Sequence, residues 1–407
     1  MAKSVTIGLS LPLSGEHATV GRQIESALRL FVKEGYESGG VSIAGCERNF
    51  SLECHDDGGD PRRTADIYRT LCTDKRIDIL LGPAHNDLAY LAAAIAEEAG
   101  VVMLNHALAG ETLHERSPRM SVGITCSSAH AFDGFTRLLS DLKFWRKRLA
   151  IVSAPTALAI DLAAGVERSC QEPRPRWRGV RVRLKYKGAV DSRSLHDKLF
   201  PALARNGINA LISAGTFAHD VDLIGAITAA NLDVPVLACL AAGIGEFGAA
   251  LGENAEGIVG PSLWDENMSI SPELGPAPHE FARRMRALGQ GDPNYPAACA
   301  YAAALIGCAA ARAADSLDQN RMRAALGDLR TSTMLGDFAI DRVTGRQLAH
   351  HPILVQWHLG RRVIVDPVHH ADRGEIEFPS GWRLILSSFR PVRVQEQLPN
   401  DDETDRK

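Results

Sequence analysis

The chain has 407 residues, of which 45% are apolar and 23% charged, with a formal net charge of −4. That length exceeds one typical domain of roughly 100–200 residues and supplies material for two cores. The slightly acidic balance gives no electrostatic reason to bind nucleic acid or an anionic membrane.

Met1-Ala2-Lys3-Ser4 runs directly into a strand-like segment, Val5 to Leu11, with no basic-then-apolar leader ahead of it. Either a leader is missing from this version of the chain or the protein works in the cytoplasm. The turn Pro12-Leu13-Ser14-Gly15 follows, then a helix carrying Ile24, Ala27, Leu28, Phe31 and Val32 at helical spacing. Phe50 to His55 alternates as a strand, and Pro61 to Cys72 reads as a helix. Ile77 to Leu81 is a strand ending at Gly82-Pro83. Leu88 to Ala99 is a helix and Val101 to Leu104 a strand. A second series starts near Arg148, with strands at Leu149–Val152, Val180–Tyr186, Ala210–Ser213, Val234–Leu237 and Ile258-Val259. Helices at Ile160–Cys170, Leu195–Asn206 and Val221–Ala230 separate them. Pro173 to Arg176 reads as a loop. After Trp264, Pro272, Pro276 and Pro278 mark another loop. An Ala-rich run, Ala297 to Ala314, reads as a buried helix, because alanine hardly favours hydrocarbon and Arg312 sits inside it. Strand-like runs follow at Phe338–Asp341, Ile353–Trp357 and Val363–Val365. The tail Pro399–Lys407 is charged and reads as disordered. The repeated strand–helix alternation predicts an α/β fold of two Rossmann-like lobes, each with a parallel central sheet covered by helices on both faces.

The search for catalytic chemistry finds little. There is no Gly-x-Ser-x-Gly elbow, no phosphate-binding loop with Lys-Ser/Thr, and no His-Glu-x-x-His. Gly243-Ile244-Gly245 with Gly248 matches a dinucleotide fingerprint in form, but no acidic residue follows at the required distance. His350-His351 and His369-His370 are adjacent pairs whose rings point apart in a strand, so they read as solvated or hairpin histidines and not as chelators. Asp56-Asp57-Gly58-Gly59-Asp60 lacks the ligand spacing of a calcium loop and reads as a turn in which Asp60 caps the helix begun by Pro61. The eight cysteines are spread out without a Cys-x-x-Cys, and most lie in apolar runs as small buried hydrophobes. The reading is a non-enzyme with no metal and no cofactor.

What remains are loops at strand C-terminal ends, which form the ligand crevice in open α/β sheets. The first lobe offers Ser14, His85, Asn86, Asn105 and Ala107. The second offers Thr156, Thr216, Phe217 and His219. Helix N-termini at such loops present free N–H groups to a carboxylate or amide oxygen.

In order and spacing, these segments resemble a periplasmic binding protein of fold type I, the branched-chain amino-acid (Leu/Ile/Val) type of substrate-binding protein of ABC transporters. The resemblance spans about residues 4–368. Its pieces are Ile7-Gly8-Leu9 with Pro12-Leu13-Ser14-Gly15, Asp56 to Pro61, Ile79 to Pro83, Glu98 to Val102, Gly336 to Asp341 with Gly345, Trp357, and Asp366-Pro367. It implies two lobes joined by a hinge that shuts on a small ligand. The expected division is residues 1–125 with about 268–335 in lobe 1, 126–267 with about 336–368 in lobe 2, and 369–407 as a C-terminal extension. Carried over by position, Asn86 falls where a serine often holds the ligand carboxylate, and Ala107 and Ala109 where backbone and hydroxyl contacts are usual. Leu158, and Thr216 or Phe217, fall at aromatic positions, and Trp264 completes the set. Leu240 stands where amino-acid binders place a carboxylate against the ligand ammonium. A buried unpaired ammonium is costly, so the expected solute is a carboxylate or amide, aromatic or aliphatic, and not an α-amino acid. Gly59 and His85 occupy the positions of a disulfide found in some members. The implied partners are a small organic solute and an ABC permease in the periplasm. The same fold serves cytoplasmic amide sensors, which share the Gly-Gly-Asp-Pro turn and a C-terminal extension, so a sensor with a regulatory partner is the alternative.

Overall fold

The computed structural model describes residues 4–367 except 16, 74–76, 109, 112, 114–118, 143–146, 173–178 and 290, together with short strands at Glu375–Glu377, Arg383–Ile385 and Arg390–Val392. The Pro173–Arg176 loop, Ala109, His369, His370 and the Pro399–Lys407 tail lie outside the described residues.

The first sheet has the order β4-β1-β5-β6-β7, all parallel: β1 is Val5–Leu11, β4 Phe50–Asp56, β5 Ile79–Leu81, β6 Met103–Asn105 and β7 Ser121–Gly123, with the hairpin of β2 (Val41–Ile43) and β3 (Cys46–Arg48) ahead of β4. Burial on both faces accounts for the apolar run of β5 and for the mostly apolar β1, whose buried Ser10 is satisfied by Asp57. Helix α1 (Ala18–Glu37) lies on one face with the Ala-rich helix α10 (Tyr295–Ala314) packed against it. On the other face, α2 (Pro61–Thr73) and α3 (Asn86–Ala99) bury Tyr68, Leu71, Ala92 and Ala96 against Leu80 and Met103. Helix α10 is long and apolar enough to cross a membrane, but most of it is buried inside the protein. Its alanines let α1, β5 and β6 approach closely.

The second sheet has the order β16-β15-β12-β11-β10-β8-β9. Strands β8 (Lys147–Ser153), β9 (Val180–Lys187), β10 (Ala210–Ala214), β11 (Val236–Cys239) and β12 (Val259–Ser262) are parallel. The hairpin of β15 (Ile353–His358) and β16 (Arg361–Asp366) adds antiparallel to that edge. Helices α4 (Asp133–Asp141), α5 (Ala157–Gln171), α6 (Phe200–Asn206), α7 (Phe217–Ala229) and α8 (Gly245–Leu251) cover it. One face closes over Val152, Leu211, Leu223, Phe247 and Trp357. The other, with Phe135, Leu162, Ile212 and Val236, belongs to the same apolar cluster as Ile7, Leu28 and α10, so the core runs through the junction between the lobes.

The chain passes between the lobes three times: at residues 124–132, at 263–277 ahead of α9 (Pro278–Ala287), and at 339–352. Three local expectations change. The proline-rich loop gives way to α9, because Pro278 takes the first helical position where its missing N–H costs nothing. Helix α11 (Gln319–Asp328) follows α10, capped by Asp318 on the Arg321 N–H. Of the Phe338–Asp341 run, only Phe338 is strand, as the last residue of β14 (Gly336–Phe338), which pairs with β13 (Thr331–Thr333). Asp341 instead accepts the N–H groups of Val343 and Thr344, which turns the chain out of the ladder.

Candidate ligand cleft

Each lobe presents the C-terminal ends of its parallel strands, and the side chains there are fixed by local bonding. Asp56, at the end of β4, accepts from Leu13 N–H at 2.9 Å, from Ser14 N–H at 3.2 Å and from the Ser14 hydroxyl at 2.7 Å. Burial pulls its carboxyl upward, but these donors and the Gly58 N–H outweigh that pull and hold it below the usual carboxylate range. Ser14 is exposed and committed to tying two loops together. Asp57 is fully buried and accepts from the Ser10 hydroxyl and the Gly59 N–H. Asp60 caps α2 through Arg63 N–H at 2.8 Å, as the turn reading expects.

Helix α3 begins differently. Its N-cap, His85, makes no side-chain capping bond, so the first-turn amides at Asn86 and beyond have no side-chain acceptor from the cap. The His85 ring turns away instead. It meets His17 edge-on at 4.4 Å between centroids, and its Nε2 lies 3.9 Å from where a Cβ on Gly59 would stand. The two positions that resemblance marks for a disulfide are therefore neighbours in space. Asn105 is buried and bonds the backbone of Ala107 with both ends of its amide. Ala107 is buried, with its carbonyl taken by the Thr125 hydroxyl. Ala109 is outside the described residues.

In the second lobe, Thr156 caps α5 and Thr216 caps α7. Phe217 is 38% exposed. Leu158 and Leu240 are half-buried and pack against the cluster that spans the junction, as do Leu13, Ala84 and Tyr295. Asp220, fully buried, accepts from the Ser213 hydroxyl at 2.6 Å and from Ala241 N–H at 2.9 Å, pinning β10, α7 and the turn after Leu240 to one another. His219 lies beside it with Nδ1 3.4 Å from the Ser213 oxygen. Trp264 is 1% exposed and edge-on to Phe281 at 5.6 Å, which makes it part of the junction core.

Several site-forming residues escape sequence reasoning. Gly110, in the loop after β6, meets Asp161 of α5 and Tyr90 of α3 where the lobes touch. Near Gly110, Glu111 lies 3.6 Å from each of His130, Arg168 and Arg346. At a second contact, Asn294 at the start of α10 donates to Glu246 of α8 at 2.8 Å and accepts from Gly245 N–H at 3.4 Å. No sequence signal marks these residues, because each acquires its role only across the gap between lobes.

The hinge corrects the reading of His350 as a solvated or hairpin residue. His350 is 3% exposed. Its Nδ1 accepts Cys126 N–H at 3.1 Å from the first connection, and its Nε2 donates to the Leu263 carbonyl at 3.2 Å in the second. One ring in the third connection thus binds the other two, and burial pushes its pKa down to about 4. A cavity of about 800 Å³ lined by Cys126, Met268 and His350 opens beside these connections. Of the cysteines, Cys126, Cys239 and Cys299 are buried as expected, whereas Cys46 is exposed on the hairpin Val41–Ile43/Cys46–Arg48.

Comparison with known proteins agrees with this geometry. A family model described as periplasmic binding protein matches residues 4–361. Among solved structures, the chain is similar to an ABC transporter substrate-binding protein from Desulfitobacterium hafniense in complex with Leu, at 18% identity, covering 89% of this chain and 100% of that one with a TM-score of 0.73. It is also similar to an ABC transporter solute-binding protein from R. palustris in complex with benzoate, at 18% identity, 89% and 95% coverage and a TM-score of 0.70. A third is the solute-binding protein from Rhodopseudomonas palustris BisB5 in complex with 3,4-dihydroxybenzoic acid, at 17% identity, 88% and 95% coverage and a TM-score of 0.70. At these identities the likeness bears on the fold.

Proposed function

This chain belongs to the periplasmic binding protein family, and on that premise we propose that it is a solute receptor that shuts its two lobes on a small organic acid or amide and delivers it to an ABC importer from the periplasm. The observation that carries the ligand class is Leu240, half-buried at the turn after β11. An apolar side chain there offers an ammonium no counter-charge, and an ammonium buried without one is strongly disfavoured. The first lobe supports an anionic end for the ligand, since the opening amides of α3 have no side-chain cap and a helix N-terminus attracts negative charge. Asn86 and the first-turn amides of α3 are proposed to hold that end. Leu158, Phe217 and Leu240 supply the apolar wall opposite, and benzoate and 3,4-dihydroxybenzoate, the solutes of two similar proteins, fit this combination of an acid and a flat apolar body.

A thermal-shift screen tests the reading. Aromatic carboxylates and amides are expected to raise Tm, because a ligand stabilises by RT ln(1 + [L]/Kd). Leucine or another free amino acid as the strongest stabiliser would refute it.

A further inference from the structure

We propose that Glu246 selects the solute by accepting a hydrogen bond from a hydroxyl or amide N–H at the end remote from its acid group. The proposal rests on the receptor reading above and adds a second determinant to it. Glu246 stands in the first turn of α8, six residues beyond Leu240, where the second lobe touches the first. One of its oxygens, Oε1, takes the Asn294 amide at 2.8 Å. Asn294 is itself held rigidly: its N–H donates to Gln23 Oε1 at 3.1 Å, its Oδ1 accepts Gly245 N–H, and it is 6% exposed. The carboxylate is therefore fixed in orientation. The other oxygen, Oε2, is buried and receives no hydrogen bond from the described residues. Tyr295, the residue after Asn294, and Leu240 each pack against the cluster that runs through the junction. Glu246 thus stands where the lobes touch, on the turn-to-helix segment that Leu240 begins.

The chemistry narrows what can meet it. An ionised carboxylate only accepts, so its partner must donate. A buried acceptor left without a donor is costly, and a site built around such a group rejects analogues that lack the donor more sharply than it rejects a missing methylene. Among the described residues, the hydrogen bond that the carboxylate receives is that of the Asn294 amide on Oε1. With the acid at α3, the solute class is a carboxylate carrying a remote hydroxyl or amide, such as a hydroxylated aromatic acid.

Calorimetric titration of the full chain and of Glu246→Gln with benzoate, 4-hydroxybenzoate and 3,4-dihydroxybenzoate tests this. Glutamine keeps the Asn294 bond through its carbonyl and replaces Oε2 by a donor. The natural chain is expected to favour the hydroxylated acids over benzoate by about tenfold or more, the scale of a hydrogen bond to a charged acceptor. In the variant that ratio falls below about threefold while the benzoate Kd holds. An unchanged ratio overturns the proposal. Melting without solute gives a second readout: removing an unsatisfied buried charge leaves Tm level or raises it. A fall in Tm means that Oε2 has a donor inside the protein, which also overturns it. If none of the three acids binds the natural chain, the receptor's ligand class is wrong, and the melting comparison still decides Glu246.

Discussion

Gly110 in the first lobe and Asp161 in the second lie so close that the glycine has no room for a side chain: a Cβ would collide with Asp161 Oδ2 and stand 2.5 Å from the Tyr90 hydroxyl. The demand for glycine here comes from the approach of the lobes. Gly110→Ala should therefore fold normally and fail to shut. Solute affinity is expected to drop at least tenfold, with the solute-free Tm within about 2 °C of the natural chain. Calorimetry alongside melting checks this, and an unchanged Kd would mean that the contact is not needed for closure.

The hinge histidine gives the fold a pH dependence. Burial depresses both His350 and His106, the buried residue that follows β6 in the first lobe, to about 4 from an ordinary value of 6.5. A depressed folded-state pKa means that the neutral ring is favoured in the fold. The stabilisation is complete above about pH 6.5 and is lost as pH falls toward 4. At 1.36 kcal/mol per unit this amounts to at most roughly 3 kcal/mol for each ring. Denaturation midpoints measured from pH 7.5 to 4.5 should decline, and His350→Gln should show about half the slope. A variant with the full slope would place the titration elsewhere.

Asp220 should behave as a structural pin. Its two oxygens take the Ser213 hydroxyl and the Ala241 N–H, and burial raises its pKa. Asp220→Asn can keep both contacts by donating to the Ser213 oxygen, and should cost about 1 kcal/mol. Asp220→Ala leaves Ala241 N–H unsatisfied and should cost about 3 kcal/mol. Urea unfolding of the two variants measures the difference. Equal losses would argue that packing, and not the bonds, is at stake.

Ser14 is expected to matter for the scaffold and not for the solute. Its hydroxyl is directed to Asp56 in an exposed loop. Ser14→Ala should lower stability by no more than about 1 kcal/mol and leave Kd within twofold. A large loss of affinity would restore it to the binding set.

The strand–helix alternation made the two lobes legible in the sequence, because buried parallel strands leave short apolar runs such as Ile79–Leu81 and Ala210–Ile212. Turns with their own chemistry were legible as well, Asp60 before Pro61 being the clearest. Helix α9 was hidden because its prolines carry the signature of a loop, and only the position of Pro278 inside the first turn distinguishes the two. The seams were hidden for a different reason. Glu246 and Asn294 lie 48 residues apart, and Gly110 and Asp161 are likewise joined only by the closing of two sheets. His350 looked like half of an exposed pair because adjacent residues face opposite ways, and here one faces into the hinge while His351 faces out.

Cys46, Cys54 and Cys72 of the first lobe are free thiols, and the His85 imidazole stands beside Gly59, the two positions that the resemblance marks for a covalent bridge. The rim of the first lobe is consequently indifferent to electron supply. Dithiothreitol and oxidised glutathione should give the same melting curve, and oxidation reaches this protein first through the exposed Cys46 on its surface hairpin.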